Sequence, residues 1–169
     1  MNTRAKLLTI VIALIVSATP AIAQQKLGDF LAETGYDSML GKWTATDGAG
    51  TTYELQYKWI LDKHAILMIA KIGDLKYQGM IMYAPYSQQI LQIGADNKGG
   101  TMKGAWTEDY EGASHRIEYL KADGTTQKIE HVHIAIDNNS FKIKEYAVES
   151  DGWRASQPNG ELTFTRVKK

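Results

Sequence analysis

Residues 51–61 alternate in chemistry almost residue by residue. Tyr53, Leu55, Tyr57, Trp59 and Leu61 take the odd positions, with Glu54, Gln56, Lys58 and Ile60 between them. A period of two sends successive side chains to opposite faces of an extended strand, so one face is aromatic and buried and the other is wet. A helix would mix the two sets. This stretch therefore predicts a half-buried β-strand, and the rest of the chain has to supply its neighbours.

The same texture runs from Gly41 to the C-terminal end. Segments are predicted at about 41–46, 51–61, 64–72, 75–83, 89–95, 101–107, 114–121, 126–136, 140–148 and 161–167. Trp153-Arg154 is a further candidate for the start of an arm. Glycine, aspartate, asparagine and proline punctuate the segments, as in Asp47-Gly48-Ala49-Gly50, Ala84-Pro85-Tyr86-Ser87, Asp96-Asn97-Lys98-Gly99-Gly100 and Ala122-Asp123-Gly124. These are turn formers, and links this short join antiparallel neighbours. No amphipathic helix is expected after Gly41. A long antiparallel meander either leaves two open edges or closes on itself, and closure removes the edges. The expected fold is all-β: an antiparallel up-and-down barrel of 8–10 strands. A β-sandwich is the alternative.

Ahead of the strands, Phe30, Leu31, Thr34 and Met39 fall at roughly helical spacing, interrupted by Gly35. A short helix across one end of the barrel is expected within residues 24–40. Residues 1–23 read differently. Arg4 and Lys6 precede an apolar run from Leu7 to Val16, and Ala21-Ile22-Ala23 has the small-x-small form that a signal peptidase reads. The run is shorter than the about 20 residues of a membrane-spanning helix. Cleavage near Ala23-Gln24 is expected, which gives a periplasmic or secreted product with the barrel domain at 41–169 and no membrane span in the mature protein.

Charge narrows the function classes. The chain has 19 Lys+Arg, 19 Asp+Glu and no cysteine. Arg4 and Lys6 lie in the leader, so the remainder carries −2. Charges of both signs are interspersed with no basic stripe, which argues against nucleic acid as a partner. Without cysteine there is no disulfide staple and no lipid anchor through an N-terminal thiol, so stability must come from the core. A monomer is expected.

Two short motifs tie the ends of the meander together. Gly41-Lys42-Trp43 opens the first strand, and Thr163-Phe164-Thr165-Arg166 closes the last. The pairing resembles the calycin superfamily of lipocalins and fatty-acid-binding proteins. That resemblance implies a tryptophan at the closed end with a C-terminal arginine over it, here Trp43 and Arg166. A cation over an indole face contributes about 0.5–2 kcal/mol. More closely, the layout is similar to small exported bacterial lipocalin-like proteins of unknown function. The shared features are Trp59-Ile60-Leu61 in the second strand, Tyr83-Ala84-Pro85 at a turn, Gly104-Ala105-Trp106 mid-chain, and Asp-Gly turns before the final arginine.

The candidate site is the barrel interior. Tyr53, Tyr57, Trp59, Tyr77, Tyr83 and Trp106, with Met102, are predicted on core faces. Tyrosines give an apolar wall with polar tips, suited to a small hydrophobic or amphipathic ligand. Side chains that simply fill a structural barrel are the competing reading. His131-Val132-His133 places two imidazoles on one strand face, a weak candidate for a divalent metal. Parity argues against it, because Val132, Ile134 and Ile136 form the better apolar face and would send the histidines outside. Haem through His115 or His64 is a further alternative, in keeping with the resemblance. Glu118, Glu130 and Glu145 are expected outside, in cross-strand ion pairs with Arg116, Lys128 and Lys144. There is no cysteine nucleophile, no Gly-x-Ser-x-Gly and no glycine-rich phosphate loop. An enzyme that uses a cavity histidine belongs to the same alternative as haem or metal; the leading expectation is a binding protein that is not an enzyme, and no cofactor is called for by the sequence.

Overall fold

A computed structural model describes residues 26–168; the expected leader and cleavage site lie outside the described residues. Ten strands follow one another: β1 (Gly41–Thr46), β2 (Thr52–Ile60), β3 (Ala65–Ile72), β4 (Leu75–Ala84), β5 (Gln89–Asp96), β6 (Thr101–Asp109), β7 (Gly112–Leu120), β8 (Thr126–Asp137), β9 (Ser140–Ala147) and β10 (Gly160–Arg166). Each pairs antiparallel with the next, and β1 pairs with β10, so the sheet is a closed barrel. Closure rules out the sandwich. The strands fall within a few residues of their expected positions because each is bounded by turn chemistry. Trp153-Arg154 is the exception: Arg154 makes only a single bridge with Val148, inside the 148–159 connection.

A short helix, α1 (Leu27–Thr34), precedes the barrel. The Asp29 carboxylate accepts the Lys26 backbone N–H at its start, and Gly35 ends it in the left-handed conformation (φ 76°). A 3-10 turn, Tyr36–Met39, leads into β1. Leu27 is fully buried, and Phe30 stacks on Tyr83 with ring centroids 6.5 Å apart. The helix thus lies across one barrel end.

At that end the Arg166 guanidinium lies over the Trp43 ring, 4.1 Å from its centroid. Trp43 and Arg166 are direct cross-strand partners. Arg166 also donates to the carbonyls of Leu40, Ser38 and Asn138, and the Trp43 indole donates to Met39 at 2.8 Å. One arginine therefore ties the pre-barrel turn, the first strand, the last strand and the β8–β9 turn together. The opposite end is formed by the β1–β2, β3–β4, β5–β6 and β7–β8 turns and the 148–159 connection, with no helix over it among the described residues.

Candidate ligand cavity

The strands enclose a cavity of about 490 Å³ towards the helix-free end. Its walls are mostly apolar, with Leu55, Met68, Ile117, Ile143, Leu162 and Phe164 among them. Tyr53, Tyr57, Tyr77, Met102 and Trp106 line it; Trp59 and Tyr83 do not. Those two lie near the β2–β3 and β4–β5 turns and pack at the helix end instead. Strand parity placed all seven inward but could not say how far along the barrel each one falls. Tyr57 and Trp106 also line a smaller apolar void of about 100 Å³ beneath α1, so they form the wall between the two spaces.

Glycines make room for the large rings. Tyr77 lies flat against the paired Gly79 and Gly94, where any Cβ would meet its hydroxyl. At Gly104 a Cβ would stand 2.6 Å from His115 Nε2. Glycine at these positions lets a ring on one strand cross its neighbour's backbone. Gln92, fully buried, sits between these rings. It accepts the Trp106 indole N–H at 3.2 Å and donates to the Tyr77 hydroxyl at 3.3 Å. Sequence reading passed over Gln92. Its signal was its place between Ile90 and Gly94 on a strand whose other face carries Leu91 and Ile93.

The histidines overturn the parity expectation. His131 and His133 point into the barrel, and Val132 is the residue on the outer face. His133 is 5 % exposed and His115 3 %. Trp106 stacks on His115 at 4.4 Å with the planes 2° apart, and His133 is 4.7 Å from the same indole. Val132 misled because that part of the outer face is itself covered. Arg154, from the 148–159 connection, bonds Asp109 at 2.8 Å and Glu130 at 3.2 Å and stands over the Tyr146 ring. Glu130 also pairs with Arg116 and accepts from Ser114. An apolar residue beneath this cover is buried without facing the core. Glu130 and Arg116 thus pair outside. Glu118 pairs with Lys103. Glu145 corrects the expectation of an outward carboxylate: it lines the cavity and accepts from His131 at 3.1 Å.

The electrostatics of the two faces differ. Burial pushes the His133 imidazole down to about 3, and His131 nearby adds to the shift. Burial likewise holds His115 well below the usual histidine range. Both are neutral at physiological pH. His115 Nε2, His133 Nδ1 and His133 Nε2 have no hydrogen-bond partner. The bond from His131 holds the Glu145 carboxyl below its ordinary value. His64 lies apart, in the β2–β3 turn at the helix end, and is outside the cavity. Among the described residues no three His, Cys, Asp or Glu side chains are arranged to hold a metal ion. Nε2 of His115 faces the Gly104 backbone, and His133, packed against Trp106 and Phe141, carries the other two unpaired nitrogens.

A scan against protein-family models gave no match to this chain, and a search of curated proteins gave none either.

Proposed function

We propose that the protein is an exported, lipocalin-like, monomeric barrel that binds a small hydrophobic or amphipathic molecule in its interior. The observation that carries this reading is the cavity of about 490 Å³ with unpaired ring nitrogens on a doubly buried histidine. Buried polar atoms in folded proteins nearly always have partners, and an orphaned donor or acceptor costs about 1–3 kcal/mol. A bound molecule would supply the missing partner. The volume lies inside the range of about 300–1,000 Å³ common to ligand pockets, which favours a binding barrel over a filled structural one.

An aqueous setting fits the outer surface. Lys71 pairs with Glu54, Lys103 with Glu118 and Lys142 with Glu161 on outward faces, where a lipid-facing barrel would carry an apolar band. No helix of the described residues is long and apolar enough to cross a membrane. Export to the periplasm or beyond rests on the leader pattern of residues 1–23.

Native mass spectrometry of freshly purified protein, followed by titration with a neutral environment-sensitive dye, tests the binding reading. A retained small molecule, or saturable dye uptake that hydrophobic competitors reverse, is the expected result. A bare mass together with no dye uptake would defeat it. A second reading, haem or a metal held through His133, draws on the same unpaired nitrogens. It requires a Soret band or stoichiometric metal in the purified protein.

A further inference from the structure

The carboxylates of the cavity are unevenly matched. Asp47, Asp96, Glu145 and Glu161 line it, and no lysine or arginine does. Among the described residues only Glu161 has a lysine partner, Lys142 on the outside. Asp47 accepts from the amides of its own turn and from the Tyr53 hydroxyl. Asp96 does the same in the β5–β6 turn and accepts from Tyr119. Glu145 has His131. Lys98 also acts on Asp96, so Asp47 and Glu145 are the two that keep their negative charge without a lysine or arginine to offset it. All four sit at the helix-free end, on β1–β2, β5–β6 and β9–β10. A cleft lined by one sign of charge with apolar walls concentrates the potential and selects the opposite charge in its ligand.

The deep end makes a different demand. His133, 5 % exposed, lines the same cavity and carries two ring nitrogens that are buried without a hydrogen-bond partner. A neutral imidazole offers one donor and one acceptor. Between the carboxylates and this histidine the lining is aromatic, with Tyr53, Tyr57, Tyr77 and Trp106.

We propose that the ligand is an aromatic amine: a protonated nitrogen held among the carboxylates of the mouth, a flat ring against Tyr57 and Trp106, and a hydroxyl or N–H at the far end of the ring bonded to His133. This rests on the binding reading above and names its ligand class. It also excludes the carboxylate-headed fatty acids that a barrel with an internal arginine would take.

Four matched probes test it by NMR or calorimetric titration: tyramine, phenethylamine without the hydroxyl, neutral para-ethylphenol, and para-hydroxyphenylpropanoate. Tyramine should bind about fivefold to tenfold more tightly than para-ethylphenol, as one partly solvated charge contact allows, and the propanoate should bind weakest. Glu145→Gln should bring tyramine down towards para-ethylphenol while leaving para-ethylphenol itself unchanged, which also shows that the variant is folded. His133→Leu should abolish the advantage of tyramine over phenethylamine. The inference is overturned if the propanoate or the neutral phenol binds as tightly as tyramine, or if Glu145→Gln leaves the amine preference intact. Should dye and all four probes fail to bind, the binding reading falls as well; dye uptake without amine preference sinks only the ligand class.

Discussion

Strands β7 and β8 carry two buried polar clusters back to back, and the two are built on opposite terms. On the outer face Ser114, Arg116 and Glu130 meet Arg154 and Asp109, and Glu130 receives bonds from three different side chains. On the inner face, one residue along, His115 and His133 are buried just as deeply and retain three unpaired nitrogens. The outer cluster is complete and fastens the 148–159 connection to the barrel. The inner cluster is incomplete, and it is this incompleteness that the proposed binding reading accounts for. Burial of polar groups alone does not distinguish architecture from function here. Satisfaction does.

The largest effect expected of a single substitution at neutral pH falls on the outer face. Arg154→Ala removes one partner of a carboxylate whose side chain is 5 % exposed. Breaking a buried pair from one side costs about 3–5 kcal/mol; because Arg116 stays in place, a loss of about 2–3 kcal/mol is expected. Urea unfolding should show it as a lower midpoint with unchanged slope. A midpoint within experimental scatter of the wild type would mean that Arg154 is not the fastening.

Acid should take the two faces apart in sequence. His133 has a folded pKa of about 3 against an unfolded value of 6.5. Its folded value is the depressed one, so the unfolded chain binds the extra proton between them. Stability is then full above 6.5 and falls as pH drops from there towards 3, by about 1.4 kcal/mol per pH unit for this one histidine. His115 adds to the fall in the same direction. Glu130 works lower down. Burial alone would raise its carboxyl, but Arg116, Ser114 and Arg154 together hold it below the ordinary 4.5. Its contribution is present above that value and fades only as pH falls beneath it. Melting temperature should therefore begin to decline near pH 6.5, and His133→Leu should make that upper part of the curve shallower. A wild-type plateau down to pH 4.5 would contradict the burial of neutral histidines.

How much of this was readable beforehand depends on which physics each residue answers to. Turn chemistry and alternation marked a meander of 8–10 strands, of which the barrel has ten, because backbone geometry is local: Asp47 to Gly50 or Ala122 to Gly124 act within four residues. Closure followed from having many antiparallel neighbours and no helix to cover an edge. The Trp43 and Arg166 contact, 4.1 Å across the seam, was anticipated from the resemblance to calycin barrels, which implies an arginine of the last strand over the tryptophan of the first. The histidine site could not be anticipated from parity. A rule that sends apolar residues inward assumes a wet outer face, and Arg154, more than 20 positions away from Val132, removes that assumption. Glu145 escaped for the same reason in reverse, since a charged residue in mid-strand was assigned to water and here faces a cavity.

A smaller effect tests how the inner cluster is held. Gly104→Ala would set a methyl 2.6 Å from His115 Nε2, so the ring must shift away from its stack on Trp106. Overpacking of this kind costs about 1–3 kcal/mol. Removing the ring should remove most of the penalty, so His115→Ala combined with Gly104→Ala should be more stable than the two single losses predict. Strict additivity in that cycle would show that the glycine answers to the backbone of Arg116, which also stands close by, and not to the histidine.

The smallest effect is the most informative about the comparison. His133→Leu keeps nearly the same volume and removes two nitrogens that have no partner. Deleting an unsatisfied buried polar group forfeits no bond and relieves its desolvation. At pH 7.5 and without ligand, the variant should match the wild type or exceed it by up to about 1 kcal/mol, in contrast to the loss at Arg154 one strand face away. A loss of several kcal/mol would mean that His133 has a structural partner within the protein, and that the inner cluster is as complete as the outer one. An unchanged or raised stability, together with weaker ligand binding, would mark His133 as a residue kept at some expense to the fold because the cavity uses it.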